Sequence, residues 1–114
     1  KENDFNAPII ENAVSIVEPE NKHPDIFING FAYQIFLKWH ESHKDNEKNY
    51  MANYSFIIHS LKEDKLIRSF KQFDIIEFLS GMSINIERLK PITKCSTETK
   101  KSLYLSLKQS ILTT

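Results

Sequence analysis

Glycine is almost missing from this chain: Gly30 and Gly81 are the only two among 114 residues. A Walker loop, a dinucleotide-binding fingerprint and a G-x-S-x-G nucleophile elbow each need several glycines at fixed spacing, because only glycine permits their backbone angles or the close approach to phosphate. That machinery is excluded. Scarce glycine also argues against an all-β fold with many tight turns. Cysteine is scarcer still. Cys95 stands alone, so it forms no internal disulfide and no cysteine-rich zinc site. A single thiol favours a reducing compartment, which points to the cytoplasm. No apolar run approaches the roughly 18 residues of a membrane span. The start at Lys1 rather than Met is compatible with a leader removed before it.

What is present fits one globular domain. A chain of this length buries roughly two-thirds of its unfolded surface, enough for a core without metals or disulfides. Hydrophobic residues make up 40% and charged residues 26%, too apolar for wholesale disorder. Fifteen basic residues balance fifteen acids, but unevenly along the chain. Residues 1–28 hold two lysines and six acids, residues 29–81 seven of each sign, and residues 82–114 six basic residues against two glutamates. A basic C-terminal third suits an anionic partner, or the protein's own acidic N-terminal segment, or plain solvation.

Residues 1–28 read as an acidic, partly extended lead-in to a helical domain over 29–114. Pro8, Pro19 and Pro24 interrupt it. Between them Ile10, Ala13, Val14 and Val17 fall at helical spacing behind Asn6 and Pro8, although the β-branched content also suits a strand. Asn29 is an N-cap for a helix from Gly30 to His43, with Phe31, Ile35 and Trp39 as its stripe. A polar loop from His43 to Asn49 leads to a second helix, Met51 to Glu63, with Tyr54, Ile57, Ile58 and Leu61 on one face. Ser69 and Gln72 form a capping box for a third helix, whose apolar face is Phe73, Ile76, Phe78 and Leu79. Gly81 falls where a left-handed C-terminal residue is expected. Met82 to Ile86 alternates as a short extended piece or the entry to a short helix, and Pro91 ends it. Hydroxyls at Ser96 and Thr97 cap a last helix, Glu98 to Leu112, striped by Leu103, Leu107 and Ile111. The expected fold is all-α, a bundle of four to five helices behind an extended lead-in, with room for one short strand pair.

Each candidate constellation has an ordinary reading beside it. Trp39-His40-Glu41-Ser42-His43 resembles the zinc-protease pattern H-E-x-x-H, but its histidines are three apart rather than four. Histidine near a helix C-terminus also serves the helix dipole. His59 and Glu63 are i, i+4, as a base and its orienting carboxylate would be, or as an exposed ion pair is. Ser55 and His59 share that spacing without any oxyanion arrangement. Cys95 lies near a helix start, where a thiol pKa can fall, yet a lone structural cysteine is the commoner case. Eight Phe, four Tyr and one Trp fall mostly on the stripes, as core packing requires. Phe27, Phe31 and Phe70 near element starts are also suited to a partner groove. No catalytic residue, cofactor or metal site is assigned.

The second and third helices with their short link have the outline of a helix-turn-helix, in which the later helix offers polar side chains near its start. Arg68, Lys71 and Gln72 stand there, and Lys94, Lys100 and Lys101 add basic charge further on. These six are the candidate nucleic-acid contacts. Against them, the link is long for such a turn, and Asp74 and Glu77 would be repelled by phosphate.

The stretch from Asp25 to Tyr33 (Asp-Ile-Phe-Ile-Asn-Gly-Phe-Ala-Tyr), then Asn53-Tyr54-Ser55-Phe56, Leu66-Ile67 and Phe78-Leu79, resembles small uncharacterised helical proteins of Bacteroidetes and their mobile elements. More loosely it is similar to the RteC-type regulators of conjugative transposons. The resemblance covers residues 25–110 on short apolar motifs. It implies a bacterial helical module in gene regulation or element maintenance, without catalysis. The expected function is therefore a non-enzymatic helical interaction module that binds a protein partner or itself, and the alternative is a nucleic-acid-binding regulator. Neither involves a membrane or a cofactor.

Overall fold

A computed structural model describes residues 18–68 and 71–112. The lead-in element between Ile9 and Val17, and Ser69 and Phe70, lie outside the described residues. The protein is all-α, with α1 (Gly30–His43), α2 (Tyr50–Glu63), α3 (Gln72–Gly81), a one-turn α4 (Ile92–Cys95) and α5 (Glu98–Leu112). A 3-10 turn, Glu47–Asn49, lies in the polar loop before α2.

α1 starts where its cap is. Asn29 Oδ1 accepts the Ala32 amide at 2.9 Å, and the Glu18 carboxylate accepts the Gly30 amide at 3.0 Å, placing negative charge at the positive end of the helix. A side chain at residue 30 would collide with the Pro19 carbonyl, so glycine is required by this close approach. α1 buries Ala32, Ile35 and Trp39 along one line and Tyr33 and Phe36 along another.

α2 is the centre of the molecule. Asn53 through Ile58 are all buried, as is Leu61. The sequence shows one apolar face on this helix. In the structure α1, α4 and α5 all pack on α2, and α5 also runs against α1. Buried polar groups on α2 are therefore satisfied across elements. Ser55 Oγ accepts the Lys90 amide at 2.8 Å, and His59 Nε2 donates to the Lys90 carbonyl at 2.7 Å. The Asn53 carbonyl accepts the Trp39 indole at 3.1 Å.

The strand pair allowed for in the sequence reduces to one antiparallel bridge, Phe27 to Ile67; among the described residues there is no sheet. Ile28 N donates to Leu66 O at 3.1 Å and Arg68 N to Ile26 O at 2.8 Å. Within the lead-in, Phe27 is fully buried and its ring meets Tyr33, Phe36 and Phe78 at 5.5–5.6 Å. Phe27 thus lines no partner groove.

Three expectations for α3 need correction. The helix begins at Gln72 with Lys71 as its cap, and Gln72 Oε1 accepts the Leu89 amide at 2.9 Å rather than closing a capping box. The buried face is Ile75, Phe78 and Leu79, with Ile76 half-buried, while Phe73 is 75% exposed. Gly81 is the last helical residue, without a positive φ, and Ser83 takes the left-handed position at φ 69°. Ser83 N donates to Ser80 O and Ile84 N to Leu79 O, each at 2.9 Å, which closes a Schellman motif. The same motif ends α2, with Lys65 left-handed at φ 59°. After α3 the chain is extended and alternates, burying Ile84 and Ile86 between exposed Ser83, Asn85 and Glu87. Thr97 Oγ1 accepts the Lys100 amide at 3.2 Å and caps α5. The α5 stripe is only half-buried at Leu103, Leu107 and Ile111, and Tyr104 is its buried residue.

Candidate docking groove

An open groove of about 700 Å³ runs between the C-terminal half of α2, α4 and α5. Phe56, Tyr104, Ile92 and Leu105 supply its apolar lining. Ile92 is 39% exposed and Leu105 50% exposed. The left-handed turn at Lys65 ends α2 at the groove, and the Thr97 cap starts α5 next to Ser96, which also lines it.

Asp64 is the polar hub. Its Oδ2 accepts the Tyr104 hydroxyl at 2.6 Å and the Lys108 ammonium at 2.7 Å, tying the end of α2 to the middle of α5. Burial works against the Asp64 charge, but the hydrogen bonds from Lys108 and Tyr104 and the Lys108 charge outweigh it and hold the carboxyl below its usual range. Burial, reinforced by the bond and charge of Asp64, pushes the Tyr104 hydroxyl far up, so it remains a donor. Four lysines, Lys62, Lys65, Lys101 and Lys108, line the groove against two acids, Glu63 and Asp64. Lys108 is paired with Asp64 and Lys101 with Glu98, and these ammonium groups stand beside apolar surface.

The molecule carries an opposite surface elsewhere. A cavity of about 450 Å³ at α3 is lined by Asp25, Asp74 and Glu77, with His23 and no lysine or arginine. It shares no residue with the lysine groove.

The structure scatters the six side chains proposed from sequence as nucleic-acid contacts. Arg68 is exposed but lies against its own backbone, donating from Nε to Pro24 O at 2.6 Å and from Nη2 to Ile28 O at 3.4 Å. Gln72 holds Leu89. Lys100 Nζ donates to the Cys95 carbonyl at 2.7 Å and closes α4. Lys101 pairs with Glu98 at 3.4 Å and still faces the groove. Lys71 and Lys94 are exposed. Among the described residues no Cα of α3 comes within 8 Å of a Cα in another helix, so α2 and α3 are not packed together as a helix-turn-helix. No protein-family model, curated protein or solved structure matches this chain.

The remaining sequence candidates have structural work. His40 and His43 are not brought together. His40 Nδ1 meets the buried Tyr54 hydroxyl at 2.7 Å, and His43 stacks on Trp39 at 4.2 Å. Burial pushes the His40 imidazole below its ordinary range, against Glu41 and with help from Lys44. Ser55 and His59, the pair with a nucleophile-and-base outline, clamp the Lys90 backbone from successive turns of α2. Cys95 is buried, and burial raises its thiol pKa despite Lys100 and Lys90. Among the described residues no group of three or more His, Cys, Asp or Glu is placed to hold a metal, and no helix is long and apolar enough to cross a membrane. Sequence reasoning missed the Asp64–Tyr104–Lys108 hub. Its members lie 40 and 44 residues apart, and only the i, i+4 spacing of Tyr104 and Lys108 is local.

Proposed function

We propose that this chain is a non-enzymatic helical interaction module whose working surface is the groove between α2 and α5. The observation that carries the reading is exposed Leu105 and Ile92 set among four lysines in one groove. Apolar surface supplies the driving force for association, and the lysines steer and select an acidic partner. The groove suits an amphipathic helix with an apolar stripe flanked by carboxylates. The engagement of Ser55, His59 and Cys95 in structural roles supports a module without catalysis. Its resemblance to helical proteins of bacterial mobile elements and its lone thiol support work in a bacterial cytoplasm.

A labelled synthetic helix of leucines flanked by glutamates is the test ligand, titrated by fluorescence anisotropy. The expected result is saturable binding that weakens with salt and falls about tenfold or more for Leu105→Asp. Binding unaffected by Leu105→Asp, or no binding at low salt, overturns the reading. The basic residues of 82–114 favour a second reading, a nucleic-acid-binding regulator. Salt-dependent binding of duplex DNA, lost on Lys71→Glu with Lys94→Glu, is its expected mark, and absence of binding at low salt ends it.

A further inference from the structure

We propose that the occupant of the lysine groove is α3 of a second copy of this chain, so that copies associate head to tail. The inference rests on the reading of the groove as a docking surface and names what docks there. α3 joins the core by one face only, Ile75, Phe78 and Leu79, and among the described residues none of its Cα atoms lies within 8 Å of a Cα in another helix. Its outer side presents Phe73, 75% exposed, followed by exposed Asp74 and Glu77. An aromatic ring with carboxylates one and four positions later is the amphipathic, acidic helix that the groove suits. Phe73 would enter the apolar floor at Leu105 and Ile92, with Asp74 and Glu77 meeting Lys65 and Lys101. Charge complementarity selects this pairing: three acids without a lysine or arginine line the α3 cavity, and four lysines line the groove, where Lys108 holds Asp64 and Lys101 holds the exposed Glu98 that an incoming carboxylate would displace. α3 spans about 15 Å at the helical rise per residue, short enough to lie within one groove.

The two surfaces share no residue, so the contact is heterologous. Each copy that offers its α3 keeps its own groove open. Association then proceeds to rings or open chains rather than stopping at a symmetric dimer.

Light scattering and sedimentation of the full chain test this. At about 0.05 M salt the average mass should rise with concentration, and at about 0.5 M salt it should fall towards the monomer, because the charge contacts are screened. Phe73→Ser removes the ring, and Leu105→Asp blocks the groove. Both change exposed side chains, and thermal melts should confirm that both variants fold. Each variant alone should weaken self-association about tenfold or more. Mixed, they should form a one-to-one complex and nothing larger, because the groove of the first still accepts α3 of the second. A wild-type chain that stays monomeric to roughly 1 mM at low salt overturns the inference. So does failure of the mixed variants to pair. If the leucine–glutamate helix binds the groove while the wild type stays monomeric, the docking surface stands and the self-association falls. If neither binds, both fall.

Discussion

The end of α3 offers a test in which composition is held constant. Ser83 occupies a left-handed backbone position at φ 69°, while Gly81, two residues earlier, is an ordinary helical residue. A left-handed conformation costs a residue with a Cβ roughly 1–2 kcal/mol, and glycine adopts it freely. A Cβ at Gly81 would meet nothing within 4 Å. Exchanging the two, Gly81→Ser with Ser83→Gly, leaves the unfolded chain with the same residues and the same flexibility. The native state alone changes, by relief of the strain at residue 83. The double variant should be about 1 kcal/mol or more stabler than wild type, which raises Tm by roughly 4–8 °C for a domain of this size. Urea midpoints with an unchanged m-value provide the second measurement. Ser83→Gly alone should gain less, since added glycine also loosens the unfolded chain. A swap that is neutral or destabilising refutes the assignment of the Schellman motif to Ser83.

Other expectations follow from the hydrogen bonds. Asp64→Asn should cost about 1–2 kcal/mol at neutral pH, because it removes the charged acceptor of Lys108. Asp64 titrates lower folded than unfolded, so its contribution is full above the unfolded pKa of about 4 and disappears as pH falls through the folded value. Urea melts should therefore show the gap between wild type and variant closing in acid, and a gap independent of pH would contradict the ionic hub. Ser55→Ala should cost about 1–2 kcal/mol by orphaning the Lys90 amide, measured by urea denaturation, and a change within about 0.3 kcal/mol would show that the clamp is idle. His40→Phe should flatten the loss of stability that wild type shows as pH falls below about 6.5, since a neutral buried imidazole resists protonation more than an unfolded one. An unchanged acid limb of the stability curve would contradict that role.

The parts of the fold legible in sequence are those set by neighbours along the chain. The bounds of α1 follow from Asn29 and a stripe of period 3.6, and the start of α5 follows from Thr97. Where a residue answers to something distant, local patterns mislead. Gln72 has the spacing of a capping box but satisfies Leu89, 17 positions on. Phe73 is apolar enough for a core face, yet it is 75% exposed, because the core is met by Ile75, Phe78 and Leu79. α2 shows one apolar stripe, and its burial on all sides depends on three elements converging on it. The lysine groove was foreshadowed only as a basic C-terminal third. Lys100 belongs to that basic set by sequence, but the Cys95 carbonyl accepts from its ammonium, and Arg68, outside that third, donates to the Pro24 and Ile28 carbonyls. Lys62, Lys65 and Lys108 enter the groove from positions that sequence had not singled out.

The bridge between Phe27 and Ile67 has a consequence for the order in which the molecule assembles. It joins the two ends of the α1–α2 hairpin, so residues 26–68 form a loop closed by its own termini and filled by the rings of Phe27, Phe36, Trp39 and Tyr54. Closing such a loop is slow relative to forming a helix, and it commits most of the aromatic core in one step. α3 lies outside that closed loop and joins it through Ile75, Phe78 and Leu79, the Phe78 ring meeting Phe27 and Phe36. Amides of Ile28 and Arg68 should accordingly exchange with solvent deuterium among the slowest, and those of α3 should exchange well before them.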